Sequence, residues 1–107
     1  MTTLVVLFKL QDESARARYE QWARETNLPT VRKLPSVAGF EIFRVNRLFG
    51  SDAQAPYDYV EIIDIDSLDQ FSTDVSTETM ARVAGEFGHF ANSPVFMLTN
   101  NMEQEMY

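Results

Sequence analysis

The sequence predicts an α+β fold in which a strand, helix, strand unit occurs twice within one domain of 107 residues. In the first half, two apolar β-rich segments frame an amphipathic helix, and the same order follows between Tyr57 and Met97. The connection between the halves, Leu48–Pro56, contains glycine, serine, aspartate and proline, which is typical of a hairpin loop. This order of elements is the split βαβ pattern of ferredoxin-like sandwiches.

The first predicted strand is Leu4–Leu10, because its apolar residues are nearly continuous, as in a central strand covered on both faces. A helix is predicted after it. Ala15, Tyr19 and Trp22 recur there at spacings of four and three, which places both aromatic side chains on one face. Charged residues including Glu20 and Arg24 are expected to point away from that face, so the helix packs on the sheet through its aromatics.

A short second helical segment is predicted from Pro29, because proline is tolerated at a first helical position. The second strand, Phe40–Arg47, and the third, Tyr57–Ile65, mix apolar and polar side chains on both faces. Helices covering one side of the sheet would leave an apolar surface on the other. A second copy of the chain is the simplest cover for that surface, so we predict a homodimer.

Ser67 and Gln70 have the spacing of a capping box and begin the second helical region. The polar stretch Ser72–Thr79 is expected to break or expose the middle of that region before its apolar stripe resumes. The last predicted strand is Val95–Thr99. The polar and acidic tail Asn100–Tyr107 is expected to be flexible.

The net charge of −7 disfavours nucleic acid and anionic membrane surfaces as partners, since both require clustered lysine and arginine. The chain has no cysteine, which removes disulfides and thiolate metal sites. Its apolar runs are too short to span a bilayer, and the first ten residues lack the basic segment and cleavage site of a secretory signal. A cytoplasmic location is therefore expected.

His89 is the single histidine and the candidate catalytic residue, because a neutral imidazole near pH 7 can accept a proton and return it. It is expected just after the second helix, where a surface or capping role is the alternative. One histidine with scattered carboxylates gives no convergent ligand spacing, so no metal is expected.

Tyr57, Tyr59 and Glu61 share one face of the third strand and are candidate ligand-binding residues. If this face meets the helices, they can bind a heterocycle or a hydroxyl group; if it meets a partner subunit, they are interface residues. A buried Glu61 would need a partner such as Arg44, or burial would raise its pKa. Arg44 is itself a candidate for binding an anionic or carbonyl group, or for a cross-strand ion pair with Glu61 or Glu41.

Tyr19 and Trp22 could stack on an aromatic ligand, and Phe87 could form part of the same wall. All three are also in positions where core packing alone would explain them. The sequence leaves both interpretations open.

Two segments carry a resemblance to a known group of proteins: Leu28–Val45 (LPTVRKLPSVAGFEIFRV) and Pro56–Asp64 (PYDYVEIID). They resemble the dimeric α+β barrel superfamily, in which two such sheets face each other. More narrowly, the Leu-Pro turns and the strands GFEIFRV and PYDYVEIIDID resemble the RedY-like, HapK-type proteins encoded with prodigiosin-type tripyrrole and bisindole pigment pathways.

The resemblance implies a small homodimer with a pocket between helices and sheet, usually without a cofactor. Its ligand would be a small aromatic biosynthetic intermediate, either polyketide-like or a nitrogen heterocycle of pyrrole or indole type. The leading hypothesis is a cofactor-independent pathway enzyme in which His89 transfers a proton while Tyr57 and Tyr59 orient the ring. The alternatives are a non-catalytic carrier or chaperone serving that intermediate or a partner enzyme, an effector-binding domain, and a haem protein with His89 as axial ligand.

Overall fold

The computed structural model describes residues 1–103 and contains a four-stranded antiparallel sheet. The strands are β1 (Thr2–Leu10), β2 (Val37–Arg44), β3 (Tyr59–Ile65) and β4 (Ala91–Thr99), and they lie in the order β2-β3-β1-β4. This arrangement confirms the predicted ferredoxin-like fold. The predicted tail continues outside the described residues from 104 to 107.

The first helical region combines three kinds of helix. After a 3₁₀ turn at Glu13–Ala15, α1 (Arg16–Trp22) continues through a π-helical turn (Ala23–Asn27) into α2 (Leu28–Arg32). Its buried residues fall at intervals of four, namely Ala15, Tyr19, Ala23, Asn27 and Val31. A spacing of four exceeds the 3.6 residues of an α-helical turn, so a regular helix would rotate this row away from the sheet. The π-helical turn takes up the excess and keeps the row facing inward.

The second helical region is divided, as predicted, into α3 (Leu68–Asp74) and α4 (Glu78–Phe90). Ser67 caps α3 by accepting a hydrogen bond from the Gln70 backbone N–H at 3.2 Å, and Thr77 caps α4 in the same way. His89 was expected just after this helix, but α4 continues through Gly85 and Gly88 and ends at Phe90. Its buried stripe, which ends at Phe87, offsets the helix-propensity cost of about 1 kcal/mol for each glycine.

Each strand has a boundary that differs from the sequence prediction, and β1 begins at Thr2 rather than Leu4. β2 begins at Val37 and ends at Arg44 rather than Arg47, and β3 begins at Tyr59 rather than Tyr57, so the connecting loop is longer than predicted. β4 begins at Ala91 and includes Pro94. Proline is tolerated there because β4 is an edge strand, and the positive φ of Ser93 marks the irregular pairing beside it.

The core on the helix side of the sheet is built around Phe8, which is fully buried. Its ring lies 4.9 Å from Phe87 and 5.5 Å from both Tyr19 and Tyr59, measured between ring centroids. Such offset and edge-to-face pairs add to the stabilisation from burial. This cluster holds α1 and α4 against β1 and β3.

Among residues 1–103, the opposite face of the sheet carries no helix. Residues directly opposite one another in the ladders share a face, so the pairing gives its apolar members: Val5, Leu7, Phe43, Val60, Ile62, Val95 and Met97. Its polar members, Thr3, Glu41, Asp64 and Thr99, lie among them. Phe43 is 47% exposed and Met97 40% exposed on this face. We call it the open sheet face. Within residues 1–103, no helix is long and apolar enough to cross a membrane.

Candidate functional site

A cavity of about 150 Å³ lies between the first helical region and strands β2 and β3. It forms where helix-facing side chains of the two strands meet α1 and the π-helical turn. Its lining is Tyr19, Glu20, Ala23, Arg24, Leu28, Ile42, Arg44 and Tyr59. Apolar side chains and aromatic rings thus line most of the cavity, and charged side chains line one side of it.

Glu20 is the centre of the charged side of the cavity. Arg44 donates to both of its carboxylate oxygens, from Nε and Nη2, each at 2.7 Å. The Tyr59 hydroxyl donates to it at 2.6 Å, and Arg24 Nη2 donates at 3.2 Å. The hydrogen bonds from Arg44 lower the pKa of Glu20 to about 2, so this carboxylate stays ionised over the physiological range.

Tyr59 is fixed from two sides. Its hydroxyl donates to Glu20 and accepts a hydrogen bond from Arg16 Nη1 at 3.1 Å. Burial, and then the bond to Glu20, raise the pKa of Tyr59 to about 12. The phenol therefore remains protonated near neutral pH and its hydroxyl is held in one orientation.

Glu61 lies behind the cavity wall and is 5% exposed. Its Oε2 accepts long hydrogen bonds of 3.4 Å from the Tyr19 hydroxyl and from Asn27 Nδ2. Burial raises the pKa of Glu61 to about 7, which these two bonds only partly oppose. Burial likewise raises the pKa of Tyr19, with the neighbouring Glu61 as the next cause. The side chain of Glu61 is thus a buried carboxyl group that can exchange a proton near neutral pH.

The second oxygen of Glu61, Oε1, accepts no hydrogen bond from the residues that the structure describes. Among these residues, every side-chain polar atom that is sealed from solvent has a hydrogen-bond partner. Since Oε1 has none, it retains some contact with solvent. Three cavity-lining residues surround Glu61. Tyr19 bonds to it, Ile42 lies directly opposite on β2, and Tyr59 precedes it on the same face of β3.

The structure brings four of the predicted site residues together: Tyr19, Arg44 and Tyr59 line the cavity, and Glu61 lies behind them. The sequence did not decide whether the face of β3 that carries Tyr59 and Glu61 meets the helices or a partner subunit. In the structure this face meets the helices. Arg44 does form an ion pair, but its partner is Glu20 on α1 rather than Glu61 or Glu41.

The other predicted residues lie outside the cavity lining. Tyr57 is half-buried in the loop before β3. The Trp22 ring packs 5.5 Å from that of Phe90, and its Nε1 donates to Glu86 at 2.9 Å. Phe87 packs on Phe8 in the core. Trp22 and Phe87 support the wall of the cavity from behind.

His89 lies in the last turn of α4, within the helix rather than after it, and its side chain is exposed. It is not among the residues that line the cavity. Its catalytic role stays a prediction, and Glu61 has the closer relation to the cavity. Within residues 1–103, no group of three or more histidine, aspartate or glutamate side chains could hold a metal ion.

The sequence analysis missed Glu20, Arg24 and Asn27. Glu20 and Arg24 were expected to point away from the sheet, and this was wrong, since both reach the cavity. They flank the inward row, each one residue after a buried position, and long side chains there can curl back toward it. Asn27 could have been found from the spacing of four that it shares with Tyr19 and Ala23, because a polar residue in an inward row indicates a buried hydrogen-bond partner.

The match to a family model covers residues 2–102, and the family is described as REDY-like protein HapK. The chain belongs to the HapK family. Among curated protein sequences none matches it significantly. The crystal structure of HapK from Hahella chejuensis is 26% identical, with a TM-score of 0.78, and the alignment covers 100% of this chain and 98% of that one.

Two more distant structures share the fold. SnoaB from Streptomyces nogalater, described as a cofactor-independent oxygenase, is 17% identical with a TM-score of 0.74 over 94% of this chain and 92% of its own. A protein from Bacteroides fragilis, described as dimeric and ferredoxin-like, is 14% identical with a TM-score of 0.70 over 94% of this chain and 95% of its own. At such identities the likeness to the last two concerns the fold alone.

Proposed function

We propose that this HapK-family protein is a cofactor-independent enzyme of pigment or other secondary-metabolite biosynthesis that acts on a planar aromatic nitrogen heterocycle. Membership of the family and the description of SnoaB as a cofactor-independent oxygenase support this class of function. The observation that carries the proposal is a buried carboxyl group with a free oxygen beside an apolar cavity. That combination provides ring binding and proton transfer without a bound cofactor.

The size and lining of the cavity favour one aromatic ring as the bound group. A cavity of about 150 Å³ accommodates a molecule the size of benzene. Leu28, Ile42 and the faces of Tyr19 and Tyr59 supply apolar contact on several sides. A pyrrole-type ring, or the pyrrole end of an indole, would enter the cavity, while the rest of a larger molecule would remain at its mouth.

Two carboxyl groups near the cavity have environments that separate their roles. Glu20 has its pKa lowered to about 2 by its cationic and hydroxyl donors, so it serves as a fixed anion that positions Arg44 and Tyr59. Glu61 has its pKa raised to about 7 by burial, and its Oε1, behind the cavity wall, accepts no hydrogen bond from the residues that the structure describes. Such a division is how an active site separates a positioning carboxylate from a proton-transferring one. Glu61 therefore takes the proton-transfer role, with His89 as the alternative.

Blocking the cavity tests the proposal. Leu28→Trp places a large ring where Leu28 lines the cavity, and Leu68→Trp makes the same change at an exposed position of α3. We expect a strain that lacks this gene to recover its product with wild type or Leu68→Trp but not with Leu28→Trp, as scored by mass spectrometry of intermediates. Circular dichroism would establish that both variants are folded. Full rescue by Leu28→Trp would contradict action in this cavity.

A non-catalytic binding protein or chaperone is the second candidate. The small number of groups able to transfer a proton at the cavity favours it, since Glu20 and Tyr59 are held in one protonation state. Such a protein would need the cavity but not the carboxyl group of Glu61. The two functions are therefore distinguished by Glu61→Gln and not by Leu28→Trp.

We further propose that two copies of the chain pair through the open sheet face. The face combines apolar side chains from all four strands, and a patch of this kind is unusual on a soluble monomer. Met97 points to this face, whereas its neighbour Leu98 points to the helix side. The two residues thus provide a matched pair of variants.

Sedimentation of wild type at about 10 μM should give a dimer, because an interface that buries an apolar sheet face resembles a divided core. Met97→Glu should give a folded monomer, since it places a charge in the apolar interface. Leu98→Glu should remain a dimer. A monomeric wild type, or a dimer that survives Met97→Glu, would contradict pairing through this face.

A further inference from the structure

The charged side of the cavity, with Glu20, Arg24 and Arg44, forms its mouth. The hydrogen-bond acceptors at this mouth are already occupied by donors of the protein itself. Each carboxylate oxygen of Glu20 accepts two hydrogen bonds, one of which comes from Arg44 in both cases. A carboxylate oxygen has about two lone-pair sites, so Glu20 has no free site for a ligand. The hydroxyl hydrogen of Tyr59 is also in use, because it is donated to Glu20.

Among residues 1–103, by contrast, donor groups at the mouth remain without partners. A guanidinium has five N–H groups; Arg44 uses two of them on Glu20, and Arg24 uses one. Both side chains line the cavity and are more than half exposed, at 51% for Arg44 and 67% for Arg24. A ligand at the mouth therefore meets N–H donors from two different elements, α1 with its π-helical turn and β2.

The charge at this place differs from that of the whole chain. Three guanidinium groups, from Arg16, Arg24 and Arg44, face two carboxylates, from Glu20 and Asp58, through hydrogen bonds and ion pairs. The balance of three positive and two negative charges is +1 while the nearby Glu61 is protonated and zero when it is ionised, whereas the chain as a whole carries −7. An anionic group is attracted to this mouth and repelled by most of the remaining surface.

We propose that the ligand of the cavity is an aromatic ring that carries a carboxylate, with the ring in the cavity and the carboxylate on the free N–H groups of Arg24 and Arg44. The inference rests on the proposed function, because it takes the same cavity as the binding site. Planar guanidinium groups match the geometry of a carboxylate and form charge-assisted hydrogen bonds with it. A neutral ring would leave these donors to water.

Two probes that share a single ring and a planar substituent test the inference: pyrrole-2-carboxylate and pyrrole-2-carboxamide. Calorimetric titration near pH 7 at low salt should give the carboxylate about tenfold higher affinity, in line with charge-assisted hydrogen bonds. Arg24→Gln should lower the affinity for the carboxylate about tenfold and leave that for the amide within about twofold. Arg82→Gln, an exposed arginine on α4, is the control and should change neither.

Glu20→Gln gives a second, independent test. It removes the anion that competes for Arg44 and preserves an acceptor for Tyr59, so the affinity for pyrrole-2-carboxylate should rise several-fold. A residue with a merely structural role would not produce a gain that is confined to the charged probe. The gain, together with the loss in Arg24→Gln, would establish the carboxylate site.

The possible failures separate the two proposals. Equal binding of both probes, with no change in Arg24→Gln or Glu20→Gln, would overturn the carboxylate inference and leave an apolar ring site in place. Tighter binding of the amide would do the same. If neither probe binds at millimolar concentration and Leu28→Trp rescues the pathway, the cavity is not the binding site and both proposals are wrong.

Discussion

Glu61→Gln should reduce turnover about 10²- to 10⁴-fold, which is the usual contribution of a general acid or base. The amide keeps the shape of the side chain, and its oxygen can still accept from Tyr19 and Asn27 in place of Oε2. It cannot take up or release a proton near neutral pH. Ligand affinity should therefore stay within a few-fold of wild type while the chemical step fails.

Single-turnover kinetics with the accumulated pathway intermediate would measure this loss, after the intermediate has been identified by mass spectrometry in the strain that lacks the gene. Glu103→Gln is the matched control, because Glu103 is an exposed carboxylate outside the cavity lining. It should retain full activity. His89→Ala should lose only a few-fold, since the exposed imidazole is not part of the cavity lining.

The reverse result would be equally informative. If His89→Ala loses activity by two or more orders of magnitude and Glu61→Gln does not, the proton-transfer group is the one that the sequence alone indicated. Unchanged function in both variants, together with retained ligand binding, would favour the carrier or chaperone role. In that case the cavity would act through binding and exclusion of water.

The fold was predictable from sequence because its signals are local. The inward aromatics of α1, the capping residues of α3 and α4, and the β-rich runs all lie within a few residues of one another in the chain. The family resemblance, which was drawn from two continuous segments of the sequence, was confirmed by the match to the family model. The boundaries were less predictable where tertiary contacts extend an element, as at the end of α4.

The site was only partly predictable because it depends on reach between distant elements. The sequence indicated that a buried Glu61 would either pair with Arg44 or have its pKa raised by burial, and the second of these holds. Arg44 instead pairs with Glu20, 24 residues earlier in the chain. No periodicity in either element specifies that contact, because long side chains of α1 and β2 meet only after the helix has packed on the sheet.

The same carboxyl group also predicts a dependence of stability on pH. The pKa of Glu61 is raised from its ordinary value of 4.5 to about 7 in the folded protein. Between these two values the unfolded chain is ionised at this position while the folded protein keeps its proton. The stabilisation from this group is therefore fully present below about pH 4.5 and is lost as the pH rises through 7.

Glu61→Gln removes this titration, so it should become more stable relative to wild type as the pH rises. A tenfold change in proton affinity corresponds to about 1.4 kcal/mol, so the free energy of unfolding of the variant minus that of wild type should grow by about 3 kcal/mol between about pH 4.5 and pH 8. Urea denaturation at fixed protein concentration would measure it. Glu20, whose stabilisation is present above about pH 4.5 and lost as the pH falls toward 2, is common to both proteins and cancels.

Glu103→Gln, which changes an exposed carboxylate, is the control variant for the same measurement. A constant difference for Glu61→Gln would mean that Glu61 ionises freely in the folded protein, and its proposed role near neutral pH would be lost. If the variant instead gains stability above pH 7 and loses turnover, the protein retains an ionisable group at a cost to its own stability. Such a cost is characteristic of a residue kept for function, since an amide in the same place would give the more stable fold.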